Sequence, residues 1–107
     1  MTGGLRPKIK GDQFEHAVVL DQERIGRWCR RLRQGGGEVV DLVSVETHWG
    51  PRHLALGLHT VFLIQCKLAG YLRPVERERL VLEARSIGAV PLLAWKVDGA
   101  IQYREVT

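Results

Sequence analysis

The sequence predicts an α/β domain in which one mixed β-sheet is flanked by helices. The strongest observation is the segment V-F-L-I-Q-C-K-L at residues 61–68, whose apolar run is typical of a buried strand. Helical periodicity over residues 12–27 and 74–87 adds two helices, and the Asp98-Gly99 pair predicts a tight hairpin. With strands predicted before and after these segments, the element order is αβββαββ.

The chain has 107 residues, enough for one small domain, which we place at residues 12–107. Residues 1–11 contain several cations and no acid, and are predicted to form a flexible basic arm. Two interpretations of this arm stay open, a frayed terminus and a segment that contacts phosphate groups. Lys8 and Lys10 are its candidate phosphate-binding residues.

The first helix is predicted over residues 12–27, with Asp12 as its N-cap. Phe14 and Val18 recur at helical spacing and define an apolar stripe. Glu15 lies at the edge of that stripe, so its carboxylate is expected near the sheet.

A basic strand is predicted over residues 28–34, before the triple glycine at 35–37. The densest positive cluster of the chain spans the end of the first helix and this strand. Its members are Arg24, Arg27, Arg30, Arg31 and Arg33. A solvated face and a surface that binds DNA phosphates are both compatible with this spacing.

Two of the predicted strands contain charges that a strand interior disfavours. Asp41 lies within the predicted strand 38–46, and Gln65 and Lys67 lie two residues apart in the strand 61–68. A buried charge is costly unless it is paired, and such local conflicts often mark functional sites. Two further strands, at residues 89–97 and 101–106, complete the sheet.

The connection at residues 47–60 contains His48, His53 and His59, together with Arg52. The spacing of these histidines matches no zinc-binding pattern. The segment is instead predicted to be a loop that contacts nucleic acid or a partner subunit, with Arg52 as a DNA-binding candidate.

The charge balance favours a polyanionic partner. Sixteen Lys and Arg residues against twelve Asp and Glu give a net charge of +4 and a pI of about 9.5. No apolar run approaches the ~18 residues of a membrane span, and no secretory signal is recognised. Cys29 and Cys66 lack metal-binding spacing, so free thiols and a cytoplasmic location are expected, in the host cell if the source is viral.

If the two central strands pair, four polar side chains can converge at one end of the sheet: Glu15, Asp41, Gln65 and Lys67. Carboxylate oxygens suit Mg²⁺ or Mn²⁺, which polarise phosphodiesters. Lys67 would then orient the attacking water or balance charge on the phosphorus. In this interpretation the metal–carboxylate cluster is the anionic partner of Lys67.

Four short motifs, in this order, carry a resemblance that covers nearly the whole chain: G-D-Q-F-E, V-V-D-L-V, F-L-I-Q-C-K and A-R-S-I-G-A-V-P-L-L-A-W-K. The chain resembles the PD-(D/E)XK nuclease superfamily and, within it, the archaeal-type Holliday junction resolvases. The resemblance implies a restriction-endonuclease-like fold and a homodimer that resolves four-way DNA junctions by paired, symmetric nicks. A cellular and a viral member of the family are both compatible with so compact a chain.

By the same resemblance, Glu15, Asp41, Gln65 and Lys67 occupy the catalytic positions. The metal ligands would be the first three of these side chains and the backbone carbonyl of Cys66. The basic arm and the arginine cluster would hold DNA backbones, mostly without reading sequence.

The chain departs from the family pattern at two positions. Residue 40 is Val where the superfamily name has Pro, and residue 65 is Gln where Glu is usual. Gln65 removes one negative charge, for which Glu38 or Glu46 can compensate. Two alternatives to a junction resolvase therefore stay open. One is a related nuclease for linear or flapped DNA, and the other is a catalytically weak module that binds branched DNA.

The second helix is predicted to present two apolar faces. Leu80, Ala84 and Ile87 share one face, whereas Val75 and Leu82 point nearly opposite. One face can pack on the sheet and the other on a second subunit, which favours a dimer.

Overall fold

The computed structural model describes residues 7–32, 39–47 and 59–107, without the side chains of residues 7–9 and 47. The elements are α1 (Pro7–Arg24), β1 (Trp28–Arg31), β2 (Leu42–Thr47), β3 (His59–Cys66), α2 (Pro74–Ile87), β4 (Val90–Val97) and β5 (Ala100–Glu105). The predicted order αβββαββ is confirmed.

The five strands form one mixed sheet in the sequential order β1-β2-β3-β4-β5. All neighbours are antiparallel except β3 and β4, which are parallel and are joined by the crossover helix α2. The central register pairs Ile64 of β3 with Leu42 of β2 on one side and with Leu92 of β4 on the other. The segment predicted as the central strand is thus confirmed as the middle of the sheet.

Each helix covers one face of the sheet. On the α1 face, Phe14 and Val18 pack with residues of the central strands, including Phe62 and Ile64. On the α2 face, the core consists of Val39, Val40, Leu63, Leu80, Ala84, Leu93 and Val106. The alternation of side chains along β3 explains why one strand serves both cores.

The predicted start of the first helix is wrong by five residues. Helix α1 begins at Pro7, so residues 7–11 of the predicted arm are helical and Asp12 is not an N-cap; residues 1–6 lie outside the described part of the chain. Proline suits the first helical position because its fixed φ is already helical and its missing N–H needs no partner there. A Cβ at Gly11 would meet no atom within 4 Å, so the glycine creates no packing constraint in the helix.

The charged residues predicted inside strands lie at strand ends. Asp41 directly precedes β2, which begins at Leu42, and Lys67 directly follows β3, which ends at Cys66. Both charges therefore occur where the sheet ladder stops, at one end of the central strands. The first predicted basic strand is also shorter than expected, since β1 ends at Arg31.

Helix α2 has the predicted bounds, and Gly88 ends it in the left-handed conformation. Leu80 and Ala84 are fully buried, whereas Val75, Leu82 and Ile87 are 57%, 57% and 60% exposed. Ile87 was predicted on the buried face and instead lies on the surface, because it occupies the last helical position, beyond the part that packs on the sheet. Neither described helix is long and apolar enough to cross a membrane.

Candidate active site

Asp41 is fixed to the central strand by both its backbone and its side chain. Its backbone N–H donates to the carbonyl of Ile64 at 2.9 Å, and its Oδ2 accepts from the backbone N–H of Cys66 at 2.7 Å. The residue is only 6% exposed. Two anchors on β3 hold the carboxylate in one place, directly beside the backbone that carries Gln65.

Glu15 approaches the same place from α1. Burial raises the pKa of Glu15 above its ordinary value, and the nearby Asp41 carboxylate raises it further, although Arg31 opposes both effects. The Arg31 guanidinium lies 3.1 Å from Glu15 and 3.1 Å from Asp12. We call Glu15, Asp41 and the backbone of Cys66 the acidic corner. In this structure Arg31 is the cation that compensates it.

Gln65 is buried at 5% exposure, yet its Oε1 has no hydrogen-bond partner among the residues that the structure describes. Alternation along β3 places Gln65 on the same side as Leu63, the α2 side of the sheet. A buried acceptor without a donor is costly. This oxygen is therefore a candidate ligand for a group that the protein alone does not contain.

The side chain of Cys66 lies on the opposite side of β3 and packs against the α1-side core, as predicted. Burial raises the pKa of its thiol, and the nearby carboxylates Asp41 and Glu15 add to the effect. The thiol is thus kept neutral. Only the backbone of Cys66 is suited to the acidic corner.

Lys67 does not pair with the acidic corner in this structure. Its Nζ lies 2.8 Å from Oε2 of Glu76, a residue in the first turn of α2. The expectation that the metal–carboxylate cluster is the anionic partner of Lys67 is therefore corrected: the partner is a glutamate from the opposite face of the sheet. The sequence did contain a signal for Glu76, because an acid three residues after a helix start is typical of a capping box.

Glu76 makes the structure sensitive to acid. Burial alone would raise its pKa, but the hydrogen bonds from Lys67 and Arg73 outweigh burial and lower the pKa from the ordinary 4.5 to about 2. Because the folded-state pKa is the lower one, ionised Glu76 stabilises the fold above pH 4.5, and this contribution is lost as the pH falls towards 2.

We therefore expect Glu76→Gln to flatten the acid limb of the stability curve. Between pH 4.5 and 2, the free energy of unfolding should fall more steeply in the unmodified protein than in the variant. Urea unfolding at a series of pH values measures both curves. Glu78→Gln, on the exposed side of α2, is the matched control; parallel curves for all three proteins would contradict the expectation.

One member of the predicted basic cluster, Arg27, makes its contacts within the fold. Arg27 is half-buried: its guanidinium lies over the Phe62 ring at 4.1 Å and donates to Oε1 of Gln22 at 3.0 Å. Arg24 pairs with Asp21 at 2.7 Å and stays exposed. These contacts give Arg27 a structural role within the fold, whereas Arg24 remains accessible to a ligand.

Arg30 is also exposed, with its guanidinium 4.7 Å from the Trp28 ring. The side chain of Lys8, and Arg33 and Arg52 entirely, lie outside the described residues, as do His48 and His53. His59 is exposed at the start of β3.

A cleft that sequence reasoning missed lies between α1 and the residue that follows Lys67. Its volume is about 320 Å³. Its lining residues are Lys10, Gln13, Phe14, Ala17, Leu68 and Lys96. Lys10 and Lys96 are exposed and give the cleft a positive rim. Lys96 escaped the sequence analysis because it is far from the other cations along the chain and is brought near Lys10 only by the fold.

The donor set fits a hard divalent cation by its chemistry. Across residues 7–32, 39–47 and 59–107, no three His, Cys, Asp or Glu side chains cluster as a metal site. The acidic corner instead combines two carboxylates with the backbone of Cys66, the residue that follows Gln65. The Gln65 amide oxygen is buried without a donor among the described residues, and it lies on the α2 side of β3. The Glu15 and Asp41 carboxylates repel each other, and a bound cation would offset this repulsion.

The chain matches a solved structure over most of its length. It is similar to Hjc of Archaeoglobus fulgidus, a Holliday junction resolvase from an archaeal hyperthermophile, with a TM-score of 0.68 and 24% sequence identity. The match covers 89% of this chain and 76% of the archaeal one. The sequence matches no protein-family model and no curated protein. The chain therefore has the fold of this archaeal resolvase.

Proposed function

We propose that the protein is a metal-dependent endonuclease that resolves four-way DNA junctions. The observation that carries the proposal is the acidic corner at the end of the central strands, in a chain that has the fold of a resolvase. The unpartnered Oε1 of Gln65, one residue before Cys66, supports it. The site residues are Glu15, Asp41, Gln65 and Lys67, as the sequence analysis proposed.

Glu15, Asp41, Gln65 and the carbonyl of Cys66 would hold Mg²⁺ or Mn²⁺. Such an ion supplies Lewis-acid polarisation of the scissile phosphodiester. The protein supplies the rest by fixing the donors: β3 clamps Asp41, and α1 presents Glu15. Arg31 compensates the charge of the Glu15 carboxylate when no cation is bound.

Lys67 provides a positive charge at the end of β3, one residue after the proposed carbonyl ligand. The Lys67 side chain is 33% exposed, which leaves it accessible to a DNA phosphate. A preorganised cation at this place stabilises negative charge that builds on the phosphorus during hydrolysis.

The DNA backbone would follow the positive rim of the cleft formed by Lys10 and Lys96 and reach the exposed Arg24 and Arg30. These contacts recognise phosphates and carry little sequence information. Cations of residues 1–11 and Arg52 are proposed to make further phosphate contacts.

Junction binding is expected to weaken steeply with salt because cations on the DNA are released on binding. Lys96→Ala should weaken binding and reduce the slope of log Kd against log salt by about one. Titration of a labelled junction at several salt concentrations measures the slope. Arg79→Ala, on the exposed surface of α2, is the control that should leave it unchanged. An affinity independent of salt would contradict the proposed surface.

Gln65→Glu should tighten metal binding by about tenfold, because cation affinity rises with the number of charged oxygen ligands. Calorimetric titration of the DNA-free protein with Mn²⁺ measures this directly. Gln102→Glu, an exposed position on β5, is the matched control and should not change the titration. An unchanged affinity in Gln65→Glu would show that residue 65 is not a ligand.

We propose that the protein forms a homodimer, since two symmetric nicks need two active sites. The exposed Val75 and Leu82 on α2 support a second apolar contact beyond the sheet. A cytoplasmic location is proposed with this function, because the DNA substrate and reduced cysteines are both expected there.

A binding module without activity is the second candidate, and Gln65 favours it because a neutral ligand weakens the site. To separate the binding module from the nuclease, a labelled four-way junction is incubated with the protein and Mg²⁺, Mn²⁺ or a chelator. Nicked strands are then measured. Nicking that requires the metal supports the enzyme. Tight binding without nicking under all three conditions overturns the enzymatic proposal.

A further inference from the structure

Glu76 and Asp41 are the two buried carboxylates among the residues that the structure describes. Asp41 belongs to the acidic corner. Glu76 lies on α2, on the other face of the sheet from Glu15, and pairs with Lys67. Burying a carboxylate costs little free energy only when each of its oxygens accepts a hydrogen bond or pairs with a cation. The partners of the two Glu76 oxygens therefore indicate its role.

The two carboxylate oxygens of Glu76 contact different partners. Oε1 accepts hydrogen bonds from the backbone N–H and the Nε of Arg73, at 3.2 and 3.0 Å, which closes the first turn of α2. Oε2 lies 2.8 Å from Nζ of Lys67. Because the first oxygen fixes the carboxylate to the helix end, the second is a rigid anchor for the ammonium group.

The backbone of Lys67 is fixed independently. Its N–H donates to the carbonyl of Ala94 at 3.0 Å, and its carbonyl accepts from Gly70 at 2.8 Å. Gly70 has a φ of +76°, and a Cβ there would lie 3.1 Å from the Trp95 ring, so only glycine fits this turn. Lys67 is therefore held at both ends, by β4 through its backbone and by α2 through its ammonium.

Gln65 leaves Lys67 without a carboxylate on its own strand. Of the two acids that the sequence offered as compensation, Glu46 is directed to Arg27 at 3.6 Å, and Glu38 lies outside the described residues. Glu76 is the acid that the fold brings to Lys67. We propose that Glu76 is a positioning residue that supplies, from α2, the negative charge that residue 65 lacks beside Lys67. Its catalytic consequence rests on the proposed nuclease function.

Glu76→Gln isolates this role from helix capping. Glutamine also forms a capping box, so the variant keeps α2 closed and removes only the charge that faces Lys67. Arg73→Gln is the complementary control: it removes the Arg73 Nε contact and leaves the Lys67 ion pair intact. Circular dichroism and thermal unfolding establish that both variants are folded.

The first readout uses the protein without DNA or metal. In ¹⁵N-lysine NMR spectra, the ammonium protons of Lys67 should exchange with water about tenfold faster in Glu76→Gln, the factor that one charged hydrogen bond typically carries. Arg73→Gln should leave this exchange rate unchanged. Equal rates in the unmodified protein and Glu76→Gln would overturn the proposal.

The second readout is nicking of a four-way junction. Glu76→Gln should lower the rate at saturating junction by about tenfold to a hundredfold, because misplacing a reacting group lowers kcat without loosening ground-state binding. The junction concentration at half-maximal rate should stay within about twofold. Gln65→Glu added to Glu76→Gln should restore most of the rate by returning a carboxylate to β3.

The outcomes separate the two proposals. A folded Glu76→Gln variant that nicks at the unmodified rate overturns the positioning role. An unmodified protein that never nicks DNA overturns the nuclease function instead, and in that case the NMR exchange rate alone decides whether Glu76 fixes Lys67.

Discussion

Asp41→Asn is expected to abolish junction nicking while junction binding persists. The amide oxygen of asparagine can still accept the hydrogen bond from the Cys66 N–H, which spans 2.7 Å in the structure, so the residue keeps its anchor on β3. The substitution removes the negative charge that a divalent cation requires. The nicking rate should fall on the order of a thousandfold, the scale seen when a preorganised electrostatic group is lost.

The matched control for this variant is Asp98→Asn. Asp98 is exposed in the β4–β5 turn with a φ of 50°, a conformation that asparagine also tolerates. Asp98→Asn changes the net charge by the same amount as Asp41→Asn, and residue 98 is not part of the acidic corner. Unchanged nicking by Asp41→Asn would remove Asp41, and with it the acidic corner, from the mechanism.

Lys67→Ala is expected to have the second-largest effect. The variant removes the cation that directly follows β3, and nicking should fall by about a hundredfold or more. Binding should change little, because the exposed cations along the cleft remain. The measurement pairs single-turnover nicking with a binding titration of the same junction.

Lys67→Ala also leaves Glu76 with Arg73 as its remaining partner among the described residues, which lowers stability because the Glu76 side chain is only 11% exposed. The Lys67→Arg variant is therefore measured alongside Lys67→Ala. Arginine keeps the charge and the pairing with Glu76, but its planar guanidinium does not reproduce a compact ammonium. A folded Lys67→Arg that nicks slowly supports the role, whereas normal nicking by Lys67→Ala would contradict it.

The fold was predictable because its main signals are local. The apolar run of β3, the Asp98-Gly99 hairpin and the proline–glycine bounds of α2 each follow from short-range chemistry. The start of α1 was not predictable in the same way. The glycine and lysines before Asp12 resemble a solvated arm, and only the structure shows the helix reaching Pro7.

The candidate site was predictable in its residues but not in its pairing. Asp41 and Lys67 stood out because charges interrupt apolar strands, and both lie at strand ends on the central part of the sheet. The partner of Lys67 is a long-range contact from α2, and no spacing rule connects Lys67 with Glu76. Arg31 was likewise predicted to face DNA, whereas its 3.1 Å contact with Glu15 depends on how α1 crosses β1.

The central claim is tested most directly by the products of one reaction. A synthetic four-way junction, labelled in turn on each strand, is incubated with the protein and Mg²⁺ or Mn²⁺ beside its linear duplex arms. The account predicts metal-dependent, paired nicks at symmetric positions in two opposed strands of the junction, with product ends that DNA ligase seals and little cutting of the arms. Equal cutting of the junction and the linear arms, or no cutting of a junction that the protein binds tightly, would contradict it.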